Sequence, residues 1–329
     1  MTPRDKVLDA LKGERKDLVP VSAVTQVGTV EAMEKAGAHW PAAHSDPEQM
    51  VELGTSLYKL AGLETARIPF CLTVQAEALG CKINMGTMDR QPSVEEPPAT
   101  TPEELPSDFL SKGRIPAVIK ATELMKQHPD LPKIVGMEGP YTLAGHVVGI
   151  ENLMRMMIRK RDFVVKIVDL CTKANIEYAK ALLDAGAEVV VPCDPSASPE
   201  LLSPKDFASI VKPKLKELAG AITKRGGIGV LHICGGVQKI IKDMAETGFD
   251  ALSIEEKVDI ASAKELVGSR PALVGNISAA KVLLTGTPEQ VKQECIKAIN
   301  AGIDVLAPGC GIAPRTKLEN IRALVSAVL

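Results

Sequence analysis

Eight short apolar runs, most of them followed by a helix-length amphipathic stretch, constrain this chain more than any other feature. The runs occupy residues 19–25, 65–70, 133–139, 188–194, 229–235, 251–256, 272–277 and 304–309. Each is only a few residues long and rich in β-branched residues, which is the pattern of strands alternating with longer amphipathic helices. Helical periodicity occupies residues 29–36, 47–60, 115–126, 162–185, 204–224, 237–247, 261–267, 288–301 and 317–328. Gly186, Gly248 and Gly302 stand where a helix must end before the next strand begins. Eight strand and helix units predict an α/β fold, a closed (β/α)8 TIM barrel.

One such barrel commonly takes about 250 residues or more, so the 329 residues are expected to form a single domain, 1–329. Two segments depart from the alternation. Thr2 as N-cap and Pro3 at the first helical position predict an N-terminal helical extension within residues 1–18. Residues 71–108, with several glycines and the run Gln91-Pro92-Ser93-Val94-Glu95-Glu96-Pro97-Pro98, predict an insertion after strand two. A small β excursion there, followed by an irregular connection, is expected to shape the mouth of a site.

Composition narrows the partners. The 39 Lys and Arg nearly balance 41 Asp and Glu, and aromatic residues make up 3% of the chain. A nucleic-acid partner is therefore not expected, since neither a basic face nor stacking platforms are available. No stretch of about 18 uninterrupted apolar residues occurs, and the first residues lack an apolar segment, so neither a membrane span nor a signal peptide is expected. Seven cysteines, an odd number without CxxC spacing, argue for a reducing, cytoplasmic setting in which thiols stay available for metal or chemistry.

In a barrel the chemistry lies at the C-terminal ends of strands. Residues i and i+2 of a strand share a face, so the run Leu231-His232-Ile233-Cys234-Gly235-Gly236 sets an imidazole beside a thiol. At the last strand, Gly309-Cys310-Gly311 presents a second thiol with open space on both sides. His232, Cys234 and Cys310 make a nitrogen and two-sulfur set suited to Zn2+, with a fourth position left for substrate. Cys171 and Cys295 fall within helices as packing residues, Cys71 and Cys81 lie in the insertion, and Cys193 ends a strand beside Asp194, the better functional candidate of that pair. Asp194 joins the catalytic set. Asn276, Glu138 and Gln26, also at strand ends, are assigned to cofactor binding, although such residues also serve as caps for the following helix.

These residues carry a resemblance. The run from His232 to Gly236, together with Gly136-Met137-Glu138-Gly139-Pro140-Tyr141-Thr142-Leu143, Val274-Gly275-Asn276-Ile277-Ser278 and Ala307-Pro308-Gly309-Cys310-Gly311-Ile312, resembles the uroporphyrinogen decarboxylase superfamily across essentially the whole chain. Within it, the His-x-Cys and Gly-Cys-Gly elements are similar to the methylcobamide:coenzyme M methyltransferases of methanogenic archaea. The decarboxylase branch itself has an Arg-rich N-terminal element, whereas no Arg occurs here between Arg15 and Arg67.

The resemblance implies a zinc-dependent enzyme of methanogenesis. It would move a methyl group from a methylated corrinoid (methylcobamide), carried by a separate corrinoid protein, to the thiol of coenzyme M. It implies that zinc on His232, Cys234 and Cys310 activates that thiol. Ser253-Ile254-Glu255 is similar to the strand end that supplies a carboxylate in cobalamin-independent methionine synthases, which implies Glu255 as a displaceable fourth zinc ligand, with Glu256 as the alternative. Arg315, just after the Cys310 loop, is a candidate for attracting the sulfonate. Two rival readings are a corrinoid methyltransferase of the same fold with tetrahydrofolate or another thiol as acceptor, and a zinc-binding regulatory protein without turnover.

Overall fold

Runs such as Val189-Val190-Val191 leave no polar face, and all five residues of that strand are buried in the computed structural model, which describes residues 1–14 and 18–328. The described strands are β1 (Ala66–Ile68), β2 (Lys82–Asn84), β3 (Ser93–Glu96), β4 (Lys133–Glu138), β5 (Val189–Cys193), β6 (Ile228–His232), β7 (Ala251–Ile254), β8 (Ala272–Ile277) and β9 (Val305–Pro308). Seven form one curled parallel sheet in the order β1-β4-β5-β6-β7-β8-β9, while β2 and β3 pair separately as an antiparallel hairpin. All seven coincide with expected strands.

The eighth expected strand, 19–25, is a correction. It forms a single parallel bridge, Val21 to Leu306, instead of a regular strand. Pro20 lacks the N–H that a ladder needs, and its carbonyl accepts from Leu306 N at 3.0 Å. The segment nonetheless spans the gap between the sheet's edges: Ser22 N donates to Leu306 O at 3.0 Å, and Glu64 N, just before β1, donates to Val21 O at 2.9 Å.

Side chains alternate across the sheet and build two cores. Outward residues, among them Val135, Met137, Leu231, Leu252 and Leu273, meet the surrounding helices. Inward residues, among them Ile134, Val191, Val230, Val274 and Val305, fill the interior together with Val7, Leu8, Ala10 and Leu11 of the helix Pro3–Leu11. That helix thus plugs one end of the interior. Thr2 caps it as expected, accepting from Asp5 N at 3.1 Å, and it is shorter than the 1–18 extension, of which residues 15–17 lie outside the described residues.

The helices Pro140–Val148 and Ile150–Arg159 were not expected from periodicity. In the first, every residue except His146 is buried, so no polar stripe marks a 3.6-residue period. The expected helix 204–224 is interrupted by a wider turn over Phe207–Val211 ahead of Pro213, which has no N–H to donate into a regular helix.

His44 lies in the outer core with its ring centroid 4.9 Å from Trp40 and 5.9 Å from Phe70, fully buried. Burial, and secondarily the charge of Arg114, pushes its pKa from 6.5 down to about 3. On acidification the unfolded chain therefore takes up this proton first, so the stability contributed by neutral His44 is complete above about pH 6.5 and is lost as pH falls toward 3. Wild type is expected to lose about 3 kcal/mol between pH 7 and pH 4 that His44→Phe does not lose. Denaturant melts of both proteins at the two pH values measure this, and equal losses would refute it.

Candidate metal centre

β6 delivers His232 at its C-terminal end, and the chain turns so that Cys234 stands beside it. His232 Nε2 lies 3.1 Å from Cys234 Sγ, and Cys234 Sγ lies 3.5 Å from Cys310 Sγ. One ligand atom from each of these residues falls within 4.8 Å of the others, the only such cluster of three among the described residues. Zn–S bonds of about 2.3 Å and a Zn–N bond of about 2.0 Å at tetrahedral angles set S···S at about 3.8 Å and N···S at about 3.5 Å. The observed separations fall short of these by only a few tenths of an ångström, so the donor set fits zinc with a small opening.

Ser253, beside His232 in the β6/β7 register, orients the imidazole. Nδ1 lies 3.0 Å from Ser253 Oγ and 3.3 Å from Ser253 O. A carbonyl can only accept, which favours the proton on Nδ1 and turns the Nε2 lone pair toward the two sulfurs. In the Ser253-Ile254-Glu255 run it is the serine that meets the imidazole.

The two thiols lie within hydrogen-bond distance of each other. Cys310 is pushed down from the usual thiol range, first by the hydrogen bond from Cys234 and further by His232, while Cys234 is pushed up by the same bond and by burial. A cation held between them would take the place of a thiol proton and favour ionisation of both sulfurs.

Glu255 is not within the cluster. Its Oε2 accepts from Gly235 N at 2.9 Å, a bond made possible by the positive φ of +85° at Gly235. Burial raises its pKa, and it stands close enough to Cys310 to feel that group's charge. Glu256 is turned away and accepts from Ser278 Oγ at 2.8 Å.

The other strand-end residues bond to backbone groups. Asp194 is fully buried and accepts from Tyr141 N at 3.2 Å and Thr142 N at 2.6 Å, capping the helix Pro140–Val148; burial pushes it up to about 6 against those bonds. Glu138 accepts from Gln75 N at 2.9 Å and Ala76 N at 3.3 Å and lies 2.9 Å from His146 Nδ1. Asn276 donates to Val258 O at 3.0 Å. None of these three lines the cavity above the cysteines. Gln26 does line it, but as a clamp: it donates to Ile312 O, accepts from Gly28 N at 2.6 Å, and its own carbonyl accepts from Ile312 N at 2.9 Å. It thereby holds the loop that carries Cys310.

That cavity, of about 170 Å3, has His232, Cys234 and Cys310 in its wall, with Gln91 of the 71–108 segment also contributing. It is smaller than the range of about 300–1,000 Å3 usual for drug-sized ligands, so it suits a compact molecule. Arg315 is not part of it. Its guanidinium is 77% exposed and pairs with Asp89 at 2.6 Å, tying the tip of the β2/β3 hairpin to the segment after Cys310. Arg67, which sequence reasoning passed over, does line the cavity. Its only signal was a lone charge inside an apolar run.

The family model described as uroporphyrinogen decarboxylase (URO-D) matches residues 2–329. A methylcobamide:CoM methyltransferase, MtaA, of Methanosarcina barkeri is 47% identical, over 99% of this chain and 97% of its own. A methylcobamide:CoM methyltransferase, MtbA, of Methanosarcina mazei is 36% identical, over 98% of this chain and 96% of its own. Among solved structures, a methyltransferase from Methanosarcina mazei superposes with a TM-score of 0.95 at 46% identity, covering 99% of this chain and 98% of that one. A B12-independent methionine synthase from Shewanella sp. W3-18-1 shares the fold alone, at 15% identity and a TM-score of 0.60.

Proposed function

Because the chain belongs to the uroporphyrinogen decarboxylase (URO-D) family, and within it to the methylcobamide:CoM methyltransferases, we propose that it transfers a methyl group from a methylated corrinoid to the thiol of coenzyme M. The observation that carries this reading is the convergence of His232, Cys234 and Cys310 on the wall of a small cavity. His232, Cys234 and Cys310 would hold zinc, which would supply a Lewis acid able to keep an incoming thiol ionised at neutral pH.

The residues divide the remaining work. Ser253 sets the His232 tautomer, and Gln26 holds the loop that carries Cys310. Glu255, anchored on Gly235 N, stands nearby as a carboxylate that can leave or approach the centre. The acceptor's thiol proton goes to solvent, its sulfur attacks the methyl carbon, and the S–CH3 bond forms as the Co–CH3 bond breaks. Both electrons of that bond remain on cobalt, which leaves as Co(I). The cavity is too small for the corrinoid macrocycle, so the donor approaches from the mouth, carried by a separate corrinoid protein. The segment 19–25 takes the eighth position of a (β/α)8 barrel, with 1–329 as one domain, the N-terminal helix as its plug and 71–108 as its insertion after strand two. The seven unpaired cysteines fit a cytoplasmic setting.

The test is transfer from methylcobalamin to coenzyme M by zinc-loaded protein. Loss of free thiol is expected to match formation of Co(I) one for one, with about one zinc per chain. A protein that holds zinc but consumes no thiol would be a binding protein rather than this enzyme.

A further inference from the structure

β1 is three residues long, and its outer residues Ala66 and Ile68 belong to the core beneath the helices. Arg67, between them, therefore points to the interior. It is 2% exposed, and among the described residues its only ionisable neighbours are the thiols of Cys71 and Cys193, with no carboxylate within ion-pair distance. Its Nε donates to Val24 O at 3.2 Å and its Nη1 to Pro69 O, both neutral acceptors, and no acceptor among the described residues meets Nη2. Room for this group is built into the neighbouring strand: a Cβ on Gly136 of β4 would fall onto Nη2 and lie 2.7 Å from Cζ.

A guanidinium stays charged at any physiological pH. Burying it without a counter-charge costs several kcal/mol, and two carbonyl acceptors return only part of that. Desolvation accordingly pulls against its protonation. Such a residue is understandable where an anion arrives to complete it. The cavity meets that condition: Arg67 lines it together with His232, Cys234 and Cys310, and no Asp, Glu or Lys does.

We propose that Arg67 is the substrate-binding residue for the anionic end of the acceptor, holding a sulfonate while the thiol at the other end reaches the His232, Cys234 and Cys310 centre. This inference rests on the function proposed above and adds how the acceptor is chosen. A sulfonate is permanently ionised and offers three oxygens to a planar fork of donors. An uncharged thiol of the same length leaves the buried cation unpaired.

Two measurements test this, one of which needs no methyl transfer. Ethanesulfonate, which has no thiol, is expected to raise the melting temperature of wild type in a saturable way and to do so far less for Arg67→Met. In the methylcobalamin assay, wild type is expected to prefer 2-mercaptoethanesulfonate to 2-mercaptoethanol in kcat/KM. That ratio should fall about ten- to a hundredfold in Arg67→Met, and less in Arg67→Lys, with zinc content retained. Wild type that ethanesulfonate does not protect, or a ratio unchanged in both variants, overturns the assignment. If Arg67→Met does not fold, wild type and Arg67→Lys carry the same comparison. Protection without methyl transfer to any thiol leaves the anion site standing and removes the proposed reaction; equal transfer to both thiols does the opposite.

Discussion

Cys310→Ala is expected to lower zinc from about one per chain to a small fraction and to reduce methyl transfer by at least about a thousandfold, close to 4 kcal/mol of transition-state stabilisation. Removing one thiolate leaves His232 and Cys234, and two ligands do not hold a zinc centre that normally takes three protein donors and an open position. Cys234→Ala should behave alike, because the two sulfurs stand 3.5 Å apart, close enough to share one metal ion. Cys295→Ala is the control for general effects of losing a buried thiol, since Cys295 is buried in the helix Pro288–Asn300. Zinc analysis after dialysis against a weak chelator, with turnover measured on the same samples, reads both effects. Cys310→Ala protein that keeps its zinc and wild-type turnover would remove the metal centre from the account.

Gly136→Ala tests the support under Arg67 from the opposite side. The added methyl group occupies the place of Nη2, so the guanidinium must swing away and give up its bonds to Val24 O and Pro69 O. A displaced charge in a closed interior, added to overpacking of the sheet, is expected to cost about 3 kcal/mol of stability. Protection by ethanesulfonate should fall at least tenfold as well. Denaturant unfolding gives the first number and ligand-dependent melting the second. Wild-type values for both would mean that Arg67 relaxes freely and is not held for an anion.

The strands were legible because parallel strands buried on both sides must be apolar along their length, and β4 to β9 carry that composition in sequence. The segment 19–25 carried it too, but Pro20 and the single bridge at Val21 show that closing the sheet's gap needs only a few hydrogen bonds. The helix Pro140–Val148 was illegible for the opposite reason, since burial on nearly every side erases the period.

The candidate metal centre divides in the same way. His232 and Cys234 were readable as a pair, because alternation on a strand is a local rule, and the glycines flanking Cys310 marked a place where side chains were cleared. Asp194, Glu138 and Asn276 looked equally eligible at strand ends. Whether a strand-end polar group faces the cavity or turns to free backbone amides depends on helices that begin elsewhere in the chain: the amides of Tyr141 and Thr142 claim Asp194, and those of Gln75 and Ala76 claim Glu138.

Local order was thus determined by the sequence itself: strand periodicity, the His-x-Cys step and the choice of His232, Cys234 and Cys310 as candidate metal donors, which the fold brings together. The tertiary structure alone decided which charges are left unpaired. Arg67 and Gly136 meet through the pairing of β1 with β4, and Arg315 finds Asp89 across the mouth. Pairing energies depend on separation and burial, which residues far apart in the chain acquire only when the sheet curls.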